Sequence, residues 1–219
     1  MILEFFGLPG SGKTVNMKEL LRHYGSGARQ ILPDRKVLKG GGLRLVFTAE
    51  FFAFSALIWG LWLRKKHKVR YDLRTLYHFS LLYLSLMKTR GDHGVRFAVL
   101  DHGLVQSVSS LVWDEPKLYE KSKALFRHIE RYFKNGITFI FTDYADNHVL
   151  VERIKTREYD VRLKHVPDEE AEQILQTQRR FFSMAAAELK SAFPLLPIDS
   201  DKPLEENAAL ICRELENQG

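Results

Sequence analysis

Gly7-Leu8-Pro9-Gly10-Ser11-Gly12-Lys13-Thr14 fits the pattern Gly-x-x-x-x-Gly-Lys-Ser/Thr of a phosphate-binding loop. Each residue type has a physical reason. The glycines let the backbone curl until successive N–H groups point at one centre, a nest for phosphate oxygens in which Pro9 and Ser11 are carried along. The Lys13 ammonium is suited to neutralise β- and γ-phosphates, and the Thr14 hydroxyl to take one position on Mg²⁺. The flanks agree with the motif. Met1 to Phe6 is an apolar run with one acid, expected as a buried strand, and Val15, Leu20, Leu21 and Tyr24 recur at helical spacing until Gly25. Strand, loop and helix in that order predict a nucleoside triphosphate site, with the positive helix N-terminus added to it.

The chain has 219 residues, enough for one α/β domain with a full core. Cys212 is its only cysteine, which excludes an intrachain disulfide. With the first strand beginning at Met1, no leader segment is expected, and a cytoplasmic setting fits. The net charge of +6 suits either a phosphate-handling enzyme or a binder of nucleic acid or membrane. The basic residues are spread along the chain, with one dense run at Arg64-Lys65-Lys66-His67-Lys68 and no recognised nucleic-acid motif. Phosphate handling is therefore the expectation, and nucleic acid is not an expected partner.

Val95 to Leu100 reads as a second buried strand, and it ends in Asp101. A carboxylate at the C-terminal end of a parallel strand faces the crevice where ligands bind in open sheets. Asp101 is thus a candidate to organise Mg²⁺ or to accept a proton from an attacking hydroxyl, the bland alternative being an N-cap for the helix that follows. Pro116 opens a helix carrying Leu118, Leu125 and Ile129, and Ile137 to Phe141 is another buried strand reaching Asp143. Strands alternating with helices at this spacing predict a parallel sheet with helices on both faces.

Two stretches carry competing readings. Leu45 to Leu63 is almost wholly apolar, long enough to cross a bilayer, for which about twenty residues suffice. A single crossing would separate the phosphate loop from the rest of its own sheet, so a pair of packed helices is expected, with peripheral membrane contact through residues 43–68 as the alternative. Arg153 and Arg157 stand four apart, with Asp160 and Arg162 beyond them. On one helix face the two would form a guanidinium clamp for phosphate, or else a solvated face paired with Glu152 and Glu158.

The order of these features resembles the P-loop nucleoside and nucleotide kinases, and most closely the thymidylate-kinase-like group, over nearly the whole chain. Gly7–Thr14 matches fully. Ile137–Asp143, Arg153-Ile154-x-x-Arg157 and Asp160-x-Arg162 look like that family's strand, helix and lid, and Leu196–Ser200 with Pro203–Glu206 looks like its last strand and final helix near the adenine. The resemblance implies a P-loop NTPase three-layer α/β sandwich: one domain over residues 1–219, a five-stranded parallel sheet in the order 2-3-1-4-5, and a small lid over about residues 153–166. It implies an ATP-dependent kinase using Mg²⁺ at Thr14 and Asp101, with Lys13, Asp101, Arg153, Arg157 and Arg162 carrying catalysis and Gly7, Pro9, Gly10, Ser11, Gly12, Lys13 and Thr14 holding the nucleotide. The expected partners are a nucleoside triphosphate and a small-molecule acceptor, and a homodimer is compatible.

The acceptor side departs from the family. Where thymidylate kinases have Asp-Arg, this chain has Asp101-His102-Gly103, and Leu32-Pro33-Asp34-Arg35 stands near the place of their Glu-Pro-Gly-Gly. The apolar helical segment within 43–90 falls where such enzymes cover the acceptor, which implies a different, bulkier or less polar one. The rival expectation is an NTPase whose nucleotide state switches a partner. A guanine-reading Asn-Lys-x-Asp sequence is absent, which disfavours a GTPase form.

Overall fold

The structure is a computed structural model and describes residues 1–33, 35–38, 42–66, 70–90, 96–112, 115–134, 136–158 and 163–217. Strand β1 (Ile2–Gly7) runs into the glycine loop, and helix α1 (Lys13–Tyr24) follows it. Gly25, at φ +51°, ends α1 in a conformation that glycine adopts without penalty. A short β2 (Ala28–Gln30) precedes α2 (Gly42–Val46), α3 (Ala49–Leu63) and α4 (Arg70–Thr89). Then come β3 (Phe97–Leu100), α5 (Leu104–Val112), α6 (Tyr119–Phe133), β4 (Ile137–Asp143), α7 (Asn147–Lys155), α8 (Asp168–Lys190), β5 (Leu195–Asp199) and α9 (Leu204–Asn217).

The sheet is parallel throughout, in the order β2-β3-β1-β4-β5. Central β1 pairs Ile2 to Glu4 with Ala98 to Leu100, and Ile2 to Gly7 with Ile137 to Thr142. Alternation along β1 feeds two cores. Leu3 and Phe5 pack with Met17, Leu20, Ile211 and Leu215 of α1 and α9. Ile2 and Phe6 join the larger core under α4, α5, α6 and α8. Three layers result, with the strand C-termini and the glycine loop at one edge.

The ambiguous apolar stretch becomes α2 and α3, and among the described residues no helix is long and apolar enough to cross a membrane. Glu50, Phe54, Ile58 and Leu61 form the buried face of α3. Phe54 stacks on Tyr83 of α4 at 3.8 Å between ring centroids. Glu50 accepts from the Tyr83 hydroxyl (3.1 Å) and pairs with Arg90 (3.0 Å), while Tyr83 shares a 2.7 Å hydrogen bond with His128 of α6. This buried network ties α3 to its neighbours where aliphatic packing alone would leave the helix free to slide.

Candidate active site

The loop between β1 and α1 is shaped by backbone conformations that side-chain-bearing residues rarely adopt: Gly10 and Gly12 sit at φ +86° and +80°. Gly12 is also the N-cap of α1, so the helix begins inside the loop and aims its free N–H groups at the loop centre. Two outside contacts hold the loop. The Ser11 hydroxyl lies 2.9 Å from that of Thr142 at the end of β4, and the Ser200 hydroxyl donates to the Ser11 carbonyl at 2.5 Å. The loop is therefore clamped by the ends of two neighbouring strands, and Ser200 falls in the stretch after β5 that the resemblance placed beside the nucleotide.

Lys13 is buried and donates to the carbonyls of Gly7 (3.1 Å) and Leu8 (2.7 Å). Burial pulls its ammonium down to about 7, the Asp101 carboxylate opposes that, and the positive charge of Arg157 adds to it. Thr14 donates from its hydroxyl to both oxygens of Asp101, at 3.0 and 2.9 Å. Asp101 is engaged with the loop across the sheet edge, so the simple N-cap reading does not describe it. Hydroxyl and carboxylate form a hard oxygen donor pair, and no group of three ligating side chains occurs among the described residues. That set fits Mg²⁺, which keeps most of its shell for water and phosphate oxygens.

The turn that follows Asp101 packs on an acid to which sequence reading gave no role. Glu4, fully buried in β1, accepts a 2.7 Å hydrogen bond from the Val105 backbone N–H at the start of α5. Its second oxygen is buried without a partner among the described residues. Gly103 lies so close that a Cβ there would sit 2.2 Å from the Glu4 carboxyl carbon, so any larger residue would have to push the buried Glu4 carboxyl aside. The turn Asp101-His102-Gly103 thus rests on Glu4. A lone acid in an otherwise apolar strand was the signal available in the sequence.

The two candidate arginines do not share a helix face. Helix α7 ends at Lys155 and Thr156 caps it, because the Thr156 hydroxyl turns back to the Glu152 and Arg153 carbonyls, so Arg157 lies past the last turn. Both nevertheless come to the loop. Arg153 reaches the Gly10 carbonyl at 3.5 Å with its guanidinium 4.2 Å from the centre of the Tyr144 ring. The charge of Arg157 is felt at Lys13 and at His102. Asp160 and Arg162 lie outside the described residues. Arg179 of α8 bonds Asp143 (2.8 Å), the Tyr144 carbonyl (2.6 Å) and Asn147 (2.7 Å), which fixes the turn that carries Tyr144.

A cavity of about 390 Å³ opens beside this cluster, within the range that holds small molecules. Helix α4 lends it Arg74, Thr75 and His78, one helical turn of a single face. Helix α5 lends Gln106, Ser107 and Ser110, and His102 lines it from the turn after β3. The Gln106 side-chain oxygen is buried with no partner among the described residues. His102 is pushed below the usual imidazole range, first by loss of water around it and then by Lys13 and Arg157, against the pull of Asp101. None of residues 43–63 lines the cavity.

A parallel sheet in this order, with the Gly7–Thr14 loop joining its central strand to α1, is the fold of the P-loop kinases. Among solved structures the chain is similar to deoxyadenosine kinase from M. mycoides. The structure with dCMP and dCDP is 14% identical with a TM-score of 0.57, over 99% of this chain and 100% of that one. The structure with dATP is 12% identical at the same TM-score, over 99% of each chain. No family model matches the sequence, and no curated protein matches it.

Proposed function

We propose that this chain is a kinase that moves the γ-phosphate of ATP to a small polar acceptor held in the cavity. The observation that carries the reading is the adjacency of Asp101 and His102. Asp101 is bonded to Thr14 of the phosphate loop and the next residue lines the cavity, so donor and acceptor regions meet at one turn. In this reading Lys13 holds the β/γ-phosphates, and Thr14 with Asp101 would hold Mg²⁺, whose charge offsets that on the phosphate oxygens. Arg153 and Arg157 bring fixed positive charge to the transferring group. Asp101, next in sequence to the cavity-lining His102, is in this reading also the candidate to take the proton of an acceptor hydroxyl. Catalysis of this kind is positioning and electrostatics, so the cations should dominate it.

The lining suits an acceptor with hydroxyls for Gln106, Ser107 and Ser110, and Arg74 is placed to meet an anionic group on it. This is a more polar acceptor than the apolar segment 43–63 implied. The test is ADP release from Mg·ATP, scanned over nucleosides, nucleotides, phosphorylated and free sugars and other polyols. Acceptor-dependent release that falls on the order of a hundredfold or more in Lys13→Ala is expected. Release that no acceptor stimulates, yet which is lost in the same variant, would reject transfer in favour of a nucleotide-dependent switch.

A further inference from the structure

Helix α3 is apolar except for Glu50 and Ser55, and its position in the fold leaves one side uncovered. Its inner face packs on the core through Phe54, Ile58 and Leu61. Its outer face carries Phe52, Ala56, Trp59 and Leu63, at helical spacing and all exposed. Phe52 is 58% and Leu63 60% exposed, and the strip runs for about 16 Å along the helix. The preceding α2 and the turn after it add Leu43 and Phe47, the latter 72% exposed. Scattered apolar residues on a surface need no explanation, but an aligned row of large side chains marks a face that something covers.

The charges around the strip indicate what that is. Between residues 42 and 66 the exposed ionic side chains are Arg44, Arg64 and Lys66, and the acid in the segment, Glu50, is buried. Arg64 lies back along α3, donating to the Gly60 carbonyl at 2.7 Å, so its charge sits beside the apolar row. Glu115, near the C-terminal end, is half-buried and accepts from the Lys66 backbone N–H. A second copy of the chain laid on this face in parallel would set Arg64 against Arg64. In antiparallel register it would set Arg64 toward the end that carries Arg44. Both place cations together with no exposed acid from this segment to meet them.

We infer that the outer face of α3, with Arg44, Arg64 and Lys66, docks on an anionic bilayer surface. The helix would lie flat, its apolar row entering the headgroup and acyl boundary while the cations meet lipid phosphates. At 15 residues, with its inner face committed to the core, α3 does not cross. The contact brings the protein to a membrane without involving the phosphate loop, so it stands independently of the kinase reading.

The test is flotation of the full chain with vesicles of phosphatidylcholine containing about a third phosphatidylglycerol, against vesicles of phosphatidylcholine alone. At about 0.1 M salt the anionic vesicles should carry at least about tenfold more protein, and raising the salt to about 0.5 M should release most of it. Phe52→Ser with Leu63→Ser, and separately Arg64→Glu with Lys66→Glu, should each lower the bound fraction about tenfold while Mg·ATP binding and the thermal transition stay as in the parent chain. Equal flotation on both vesicles, or on neither, overturns the inference. So does a concentration-dependent dimer, in the absence of lipid, that the Phe52→Ser/Leu63→Ser change abolishes, since the face would then belong to a second copy.

Discussion

Replacing Glu4 with glutamine should make the protein more stable, and increasingly so as the pH rises. Glu4 is fully buried, and loss of water raises its carboxyl from 4.5 to about 7, outweighing the hydrogen bonds from the Val105 and Leu104 backbone that pull it the other way. Below about pH 4.5 the carboxyl is neutral in the folded and unfolded chain alike and contributes no pH dependence. Between 4.5 and 7 the unfolded chain ionises at this position while the folded chain keeps its proton, so folding loses ground with each step in pH. Above about 7 both ionise and the loss stays constant, at about 3 kcal/mol. Glutamine has the same shape, keeps an oxygen for the Val105 N–H and has no proton to lose. The stability of Glu4→Gln minus that of the parent chain should therefore grow by about 2.5 kcal/mol between about pH 5 and pH 8. In urea unfolding followed by circular dichroism this is a rise of about 1 M in the midpoint difference. A difference that stays flat with pH, or a parent chain that gains on the variant as pH rises, would refute the reasoning that Glu4 titrates late in the folded state.

Two further outcomes follow from buried charges. Lys65 and Asp72 pair at 2.9 Å with both side chains fully buried, so Lys65→Met should strand the carboxylate and cost about 3–5 kcal/mol in urea unfolding, with Lys65→Met/Asp72→Leu recovering most of it. Lys13, at about 7, is largely neutral near pH 8, and phosphate oxygens beside it should restore its proton. Mg·ATP binding should then take up about 0.9 of a proton near pH 8 but only about 0.1 near pH 6, read calorimetrically in buffers of different ionisation enthalpy, with that pH-dependent part missing in Lys13→Met.

The central elements were legible because local periodicity encodes them. The apolar runs at β1, β3 and β4 and the helical spacing of α1 and α6 appear at the expected places, and the resemblance supplied β5, α9 and the strand order that the sheet shows. The errors arose where tertiary contact overrides local pattern. Arg153 and Arg157 are at helical spacing, but Thr156 closes the helix between them, and spacing carries no information about a cap. Lys65 sits in the dense run of cations Arg64–Lys68, yet its charge is buried against Asp72 of α4, a pairing that spacing alone does not announce.

The acceptor region was illegible for a deeper reason. Arg74 and His78 stand on an ordinary amphipathic helix, and their polarity is equally suited to water or to a ligand. Whether a polar face looks at solvent or at a cavity depends on how α4 and α5 pack together, which no single segment specifies. The phosphate loop escapes this limit because its function resides in backbone conformation, and backbone conformation writes itself into glycine positions. Glu4 lies between the two cases. An acid in a buried strand is anomalous on local grounds, so its presence could be flagged from β1 alone, but its role required Gly103 and Val105 to arrive from about a hundred residues away. Sites made of backbone are readable in one sequence, and sites made between helices are readable only in the fold.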